Sequence, residues 1–411
     1  MNKWIVVALL WIVTCLNYMD RMTIFTIFPV LQREMGISNV ALAMLGSVFL
    51  WAYGISSPLC GYLGDRFNRK RVILWSLVIF SGVTFGTGLA QTHAQLIALR
   101  VFLGLSEALF LPAALAHVAA FHTDSTRSLA NAAILTGLPA GAGLGGFYGG
   151  FMAEHLSWRA SFYLLGVLGL ALALVLLLWL PDKDSASRDA LTAERNKPAQ
   201  ESLARNLLGV FQNRTSICLI FLAFALSLTS WPTASWMPTY FYERFGMSLT
   251  QSGFYLAMFT YIPALAGSIA GGVWADRWTR SNARGRILVQ VIGLSFMAPT
   301  MLATGFIPSV GELSASLLVY SVARGMLEVN SMPIFSSVMP SDKWATAYGL
   351  YNFAGTMAGS LGILAIGYLK SSWGIGRSLS LMSVALFCAL VVMALAPLHI
   401  TSKSNPEGNT L

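Results

Sequence analysis

Charge is what this chain has least of. Only 10% of its 411 residues are charged and 56% are hydrophobic, against about 25% charged in an average soluble protein. A water-soluble fold is excluded, because apolar stretches of about 20 residues recur from end to end and so large a surplus must face lipid. Cysteine is scarce as well. Cys15, Cys60, Cys218 and Cys388 lie inside apolar stretches with no CxxC spacing, which argues against a disulfide framework or a cysteine metal site. No GxxxxGK loop, zinc spacing or shared Ser/His/Asp arrangement occurs, so no enzyme, resident metal or cofactor is expected. A β-barrel would alternate apolar and polar residues over segments of about 10. Instead "GLALALVLLLWLP" and "LMSVALFCALVVMALAP" are apolar on every side. The class is an all-α, polytopic membrane protein.

Polar breaks divide the chain into spans near 5–30, 40–62, 72–91, 95–119, 128–153 and 160–180, then 215–241, 250–274, 287–306, 313–337, 346–369 and 377–397. That makes twelve, six and six. The first run continues from Trp4 into "NYMDRMTIFTIFPVL" without a small-residue cleavage site, so it reads as a retained helix, not a signal peptide. The expected organisation is a first bundle over 1–181, a cytoplasmic linker over 182–213, a second bundle over 214–399 and a tail over 400–411. The net charge of +9 has a topological explanation. With the N-terminus inside, inside loops hold eighteen of the twenty-six Lys and Arg residues and outside loops five. This bias places both termini in the cytoplasm, and no nucleic-acid partner is needed to explain the charge.

The halves resemble each other at matched places, the signature of an internal repeat. "GYLGDRFNRKR" follows span two and "GGVWADRWTRSNARGR" closes span eight. Both set a Gly four residues before an Asp-Arg pair, at Gly61 with Asp65 and Arg66, and at Gly272 with Asp276 and Arg277. Spans four and ten, in "SEALFLP" and "LEVNSMP", share a Glu five residues before a Pro, at Glu107 and Glu328. Twelve spans with this loop resemble the major facilitator superfamily over essentially the whole chain. Within it, "LNYMDR", "RVFLGLSEALFLPA", "WRASFYLLG" and "WMPTYFYERFGMSLTQSG" are similar to the anion:cation symporter family. The resemblance implies two pseudo-symmetric six-helix bundles that rock about a central site.

Six ionisable side chains fall inside spans: Asp20, Arg21, Arg100, Glu107, Arg324 and Glu328. Each costs about 2.5 to 3.5 kcal/mol at a helix centre and needs a partner or a watery cavity. At about 1.5 Å per residue, Asp20 lies roughly 14 Å from Pro29, and Glu107 roughly 18 Å from Gln95. One level of the bilayer can hold both. Proton occupancy of a carboxyl there depends on whether a cation stands beside it, and Arg21 offers a carboxylate ligand two parallel donors. The alternative is that Asp20 with Arg21, and Arg100 with Glu107, are permanent packing pairs. The family resemblance implies proton coupling at Asp20 and Glu107, anion binding at Arg21, and association of Arg100 with the glutamate below it. Arg324 and Glu328, four apart, read as a self-neutralised supporting pair with a share in coupling left open. Tyr18 and Asn352 are expected cargo contacts, with Trp231, Trp236 and Tyr240 as further candidates for the cavity wall. The superfamily implies that the loops with Gly61, Asp65, Arg66, Asp276 and Arg277 latch the inward side.

Gly137, Gly141, Gly145 and Gly149 form a four-residue stripe in span five, answered by Gly267 and Gly271 in span eight and by Gly355 and Gly359 in span eleven. Such stripes bring backbones together, as seams between the halves, as static packing, or as both. The expected function is proton-coupled symport of a small organic anion, such as a sugar acid or other carboxylate. The setting is a bacterial inner membrane, with the chain as a monomer and the proton gradient in place of a cofactor. The alternatives are an exporter or exchanger of amphipathic solutes, and, more remotely, a membrane sensor that moves nothing.

Overall fold

A computed structural model of the protein describes residues 3–182, 203–340 and 343–396. The central part of the expected linker and the tail over 400–411 lie outside the described residues. Among the described residues nine helices are long and apolar enough to cross a membrane, and Thr346–Ala394 joins the last two spans in one. Span five, rich in glycine, and span ten, with Arg324 and Glu328 in it, complete the twelve. Spans one to three are Lys3–Thr26 continued by Phe28–Met35, then Asn39–Arg66, then Arg69–Leu89. Spans four to six are His93–Glu107 with Phe110–Phe121, Asp124–Leu135 with Gly137–His155, and Trp158–Trp179.

A short amphipathic helix, Leu203–Gln212, leads into the second half. Span seven is Arg214–Phe245, and span eight is Leu249–Leu256, a π-helical turn at Ala257–Tyr261, and Ile262–Thr279. Spans nine and ten are Gly285–Ala303 and Val310–Val338. Spans eleven and twelve share Trp344–Ala394, broken at Gly374, whose φ of 73° suits only a residue without a Cβ.

Local chemistry explains the breaks. Spans one and seven both end on a left-handed glycine, Gly36 and Gly246. In each case the serine two residues on, Ser38 or Ser248, caps the next helix. The matched Gly-x-Ser pair is a further trace of the repeat. Span four breaks just after Glu107, where Pro112 leaves a backbone carbonyl one turn earlier without its usual N–H donor. The Ser76 hydroxyl donates to the Ser106 carbonyl at 2.7 Å and pins the chain there.

The face that carries Arg69, Lys70, Arg277, Arg284 and Arg286 is called the basic face below; spans one and seven run away from it. Leu168, Leu178, Trp179, Ile269 and Val391 remain exposed on the outside of the bundle, as lipid-facing side chains do.

The glycine stripes pack within each half and do not form seams between the halves. A Cβ at Gly141 would stand 2.2 Å from the Cys15 carbonyl oxygen and one at Gly145 would stand 2.5 Å from that of Met19, so the stripe of span five lies against span one. Gly267 meets Val322 of span ten, and Gly359 meets Trp231 of span seven. A different set joins the halves away from the basic face. Gly253 of span eight lies against Gly146 of span five, and Gly150 against Leu249. Nearby, Ser47 Oγ donates to the Ser360 carbonyl at 2.9 Å, and Phe28 meets Trp236 edge-on at 5.2 Å. Glu154, at the end of span five, accepts from the Leu249 N–H at 2.5 Å and from the Thr250 hydroxyl, so a carboxylate of one half caps a helix start in the other.

That cap gives a first prediction. Replacing Glu154 by Gln removes the charge from a helix N-terminus, an effect of about 0.3 to 1 kcal/mol at an exposed site. A cysteine introduced at position 250, which keeps the backbone donors, should then label about two- to fivefold faster with a membrane-impermeant maleimide. Unchanged labelling would mean the cap does not hold this face shut.

Candidate functional site

Spans one and four bring four charges together. Arg21 Nε donates to Glu107 Oε2 at 2.6 Å, with side-chain exposures of 5% and 0%. Arg100 Nη1 stands 3.9 Å from Asp20 Oδ2, both side chains 2% exposed. The pairs therefore cross between the spans. Neither of the pairings expected within one span, Asp20 with Arg21 or Arg100 with Glu107, is formed. Residues adjacent in a helix point about 100° apart, so Asp20 and Arg21 face different neighbours. The break after Glu107 turns its carboxyl toward span one.

The two pairs differ in quality. The Arg21 guanidinium also lies 4.5 Å from the Tyr18 ring, 4.7 Å from Tyr53 and 4.8 Å from Phe49, a cage of three aromatic faces. Asp20 is held more loosely. Neither of its oxygens accepts a hydrogen bond of good geometry from the described residues. Arg100 Nε and Nη2 and Glu107 Oε1 also lack hydrogen-bond partners among the described residues. A buried charge without hydrogen bonds is costly, so the cluster stores electrostatic stress while its formal charges sum to zero.

Between the halves lies a cavity of about 490 Å³. Span one contributes Tyr18 and Met22, span seven Ser230 and Trp231, span eight Tyr261, span ten Arg324 and Glu328, and span eleven Tyr351 and Asn352. Tyr351 and Asn352 are within about two turns of the basic-face start of span eleven, and the Gly146–Gly253 contact closes the other end. The cavity therefore opens toward the basic face. Arg324 Nε is 3.1 Å from Glu328 Oε1, with side-chain exposures of 15% and 45%. Arg21 does not line this space. It lines a closed crevice behind it, together with Phe25, Phe49 and Arg100, and Trp231 borders both.

Of the residues singled out from the sequence, Tyr18, Asn352, Arg324, Glu328 and Trp231 share the cavity, and Asp20, Arg21, Arg100 and Glu107 form the cluster behind it. Trp236 and Tyr240 are packing residues, donating to the carbonyls of Ile363 at 3.2 Å and Thr304 at 3.3 Å. On the basic face Asp276 pairs with Arg286 of span nine at 2.5 Å, and Arg286 donates to Asn330 of span ten at 3.3 Å. This clasp stays within one half. Gly61, Asp65 and Arg66 close the helix of span two, and their side chains lie outside the described residues. Sequence reasoning missed Tyr53, Phe49, Tyr261 and Tyr351. Aromatics at these positions read as core, and only the π turn of span eight, which shifts the helix register at Tyr261, sets that residue apart.

Twelve apolar helices in two repeated sets, with buried charges beside a cavity open at one end, are the architecture of a helical membrane transporter. Residues 10–363 match the Major Facilitator Superfamily, and the chain belongs to it. It is 25% identical over 397 residues to the probable galactarate/D-glucarate transporter of Bacillus subtilis (strain 168), covering 90% of this chain and 86% of that one. It is 27% identical over 433 residues to the 4-hydroxybenzoate transporter of Pseudomonas putida, with 98% and 92% covered. A sphingosine-1-phosphate transporter of Mus musculus is 24% identical over 373 residues, covering 86% and 67%. Among solved structures, a bacterial homolog of the human lysosomal transporter Spinster, inward-facing and unoccupied, superimposes with a TM-score of 0.81 at 17% identity, 96% of each chain being covered.

Proposed function

We propose that the chain is a secondary carrier that moves a small organic anion together with protons by alternating access. The proton gradient supplies the driving force, and the carrier works as a monomer in a bacterial inner membrane. In this reading the basic face is cytoplasmic and both termini lie on that side. The two expected bundles, 1–181 and 214–399, rock against each other about the cavity. The loops with Gly61, Asp65, Arg66, Asp276 and Arg277 latch the basic face when it closes.

The observation that carries this reading is the neutral, under-bonded cluster of Asp20, Arg100, Arg21 and Glu107. One proton bound there leaves a net charge of +1 in a place that water does not reach. An anion entering beside it restores neutrality, so each makes room for the other. Asp20 and Glu107 are the proton-carrying residues. Arg21, released from Glu107, meets the anion once Tyr18 and Trp231 swing aside, and Tyr18 and Asn352 contact the cargo from the cavity. Several relatives are named as transporters of galactarate, D-glucarate, 4-hydroxybenzoate or sulfoacetate, all of them small organic anions.

The second reading is exchange or export of amphipathic solutes, favoured by the aromatic and methionine lining and by the sphingosine-1-phosphate transporter among the relatives. A panel of labelled carboxylates offered to proteoliposomes with an imposed pH difference separates the two. At least one carboxylate should accumulate on the alkaline side and stop doing so when the difference is collapsed. Uptake that ignores the pH difference would favour the exchanger and end the symport reading.

A further inference from the structure

We infer that Arg324 docks the carboxylate of the cargo in the state open to the basic face, and that the cargo is a monocarboxylate with a flat, largely apolar body, typically an arylcarboxylate. The inference rests on the anion-carrier reading above and adds to it a docking residue and a substrate class.

Among the described residues that line the cavity, Arg324 and Glu328 are the charged ones. An anion entering from the basic face therefore meets Arg324 first, with Trp231 still closing off the crevice that holds Arg21. Arg324 is lightly held. Its 3.1 Å contact with Glu328 is ionic, and its Nε is without a hydrogen-bond partner among the described residues. A bidentate carboxylate supplies the aligned acceptors that Glu328 does not. Glu328, with 45% of its side chain exposed, can turn into cavity water when displaced, so the exchange leaves no charge stranded.

Charge and hydrogen-bonding capacity then limit the body of the cargo. Exchange at Arg324 is one carboxylate for one, and while the crevice that holds Arg21 stays closed a second carboxylate finds no second cation among the described lining residues. Three of the four serines among the described lining residues have committed their protons to their own helices: Ser230 to the Leu226 carbonyl at 2.6 Å, Ser268 to Ala264 at 3.0 Å, Ser331 to Leu327 at 3.2 Å. Tyr351 donates to Ser331 and Tyr261 to the Met22 sulfur. The other neutral polar side chains of the lining, Ser227, Tyr18, Tyr348 and Asn352, are fewer than the hydroxyls and second carboxylate of a sugar diacid, and sites discriminate against unmatched polar groups. A flat apolar ring instead has the aromatic side chains of Trp231, Tyr261 and Tyr351 to pack among, with Asn352 there to meet one polar substituent.

The test uses the full chain in detergent, with benzoate, 4-hydroxybenzoate and galactarate as probes and thermal unfolding as the readout of binding. The two aryl probes should raise the unfolding temperature and galactarate should not. Arg324→Gln should weaken aryl binding by about ten- to hundredfold, and Arg324→Lys should recover part of it. Glu328→Gln should bind as tightly as the parent or more tightly, because the competing carboxylate is gone; a merely structural pair would weaken instead. Unchanged binding in Arg324→Gln, weakened binding in Glu328→Gln, a preference for galactarate, or no binding of any probe would each overturn the inference. Binding lost in Arg21→Gln but kept in Arg324→Gln would move the anion to the crevice, overturning the docking residue while leaving the carrier reading intact. The carrier reading itself fails only in the proteoliposome panel.

Discussion

Replacing Asp20 by Asn is expected to abolish accumulation driven by a pH difference while sparing exchange of labelled for unlabelled cargo. A difference of one pH unit is worth about 1.4 kcal/mol per coupled proton, and so about tenfold accumulation of a monoanion that enters with one proton. The Asn variant should bring the ratio of inside to outside concentration to about one, a loss of roughly tenfold per coupled proton. Asp20 is the better target of the two acids because it is the more loosely held: its nearest ionic contact is 3.9 Å, against 2.6 Å for Glu107. The substitution also strands Arg100, which is 2% exposed, and breaking a buried pair from one side costs about 3 to 5 kcal/mol. A lower unfolding temperature alone is therefore no sign of a role in coupling.

The double variant Asp20→Asn, Arg100→Gln removes both charges and should recover stability without recovering accumulation. Accumulation that persists in the double variant would reduce the Asp20–Arg100 pair to a packing device. Glu107→Gln belongs in the same series. It leaves Arg21 facing three aromatic rings with no anion beside it, so it should lose accumulation and stability together.

Much of this site is legible in the sequence because charge inside an apolar span is costly and therefore conspicuous. Asp20, Arg21, Arg100, Glu107, Arg324 and Glu328 stand out for that reason alone, and rise per residue places Asp20 and Glu107 at a common depth. Which acid meets which base is not legible. Sequence spacing governs contacts within one helix, whereas Arg21–Glu107 and Arg100–Asp20 depend on the rotation of span one against span four and on the break at Ala108 and Leu109. The glycine stripe shows the same limit. Its period announces a close helix contact without naming the partner, which proves to be span one of the same half. The glycines that join the halves, Gly146, Gly150 and Gly253, carry no period that separates them from the rest.

Those glycines set the second large effect. At Gly253 an added Cβ would lie 2.1 Å from the Gly146 carbonyl oxygen and 2.4 Å from its carbon, both backbone atoms that no rotamer change can move aside. Span five and span eight must then separate by an ångström or more on the face opposite the cavity opening. In a carrier that alternates, this seam exists in only one of the two states, so Gly253→Ala burdens the state open to the basic face and leaves the other untouched. A shift of the equilibrium follows from that difference. Overpacking of this kind costs about 1 to 3 kcal/mol, so the ratio of the far-side-open state to the basic-face-open state should rise about five- to 150-fold.

With the four native cysteines replaced and a single one placed at position 250, maleimide labelling from the far side should quicken by a comparable factor. Transport should fall, because the cycle can no longer close that face readily. The monodisperse peak on size exclusion should be kept, which separates a shifted equilibrium from misfolding. Gly82→Ala serves as the control, since a Cβ there meets no atom within 4 Å and should change neither rate. If Gly253→Ala labels and transports like its parent, the contact between spans five and eight is not the closure of the far face, and the rocking motion has to be sought about another seam.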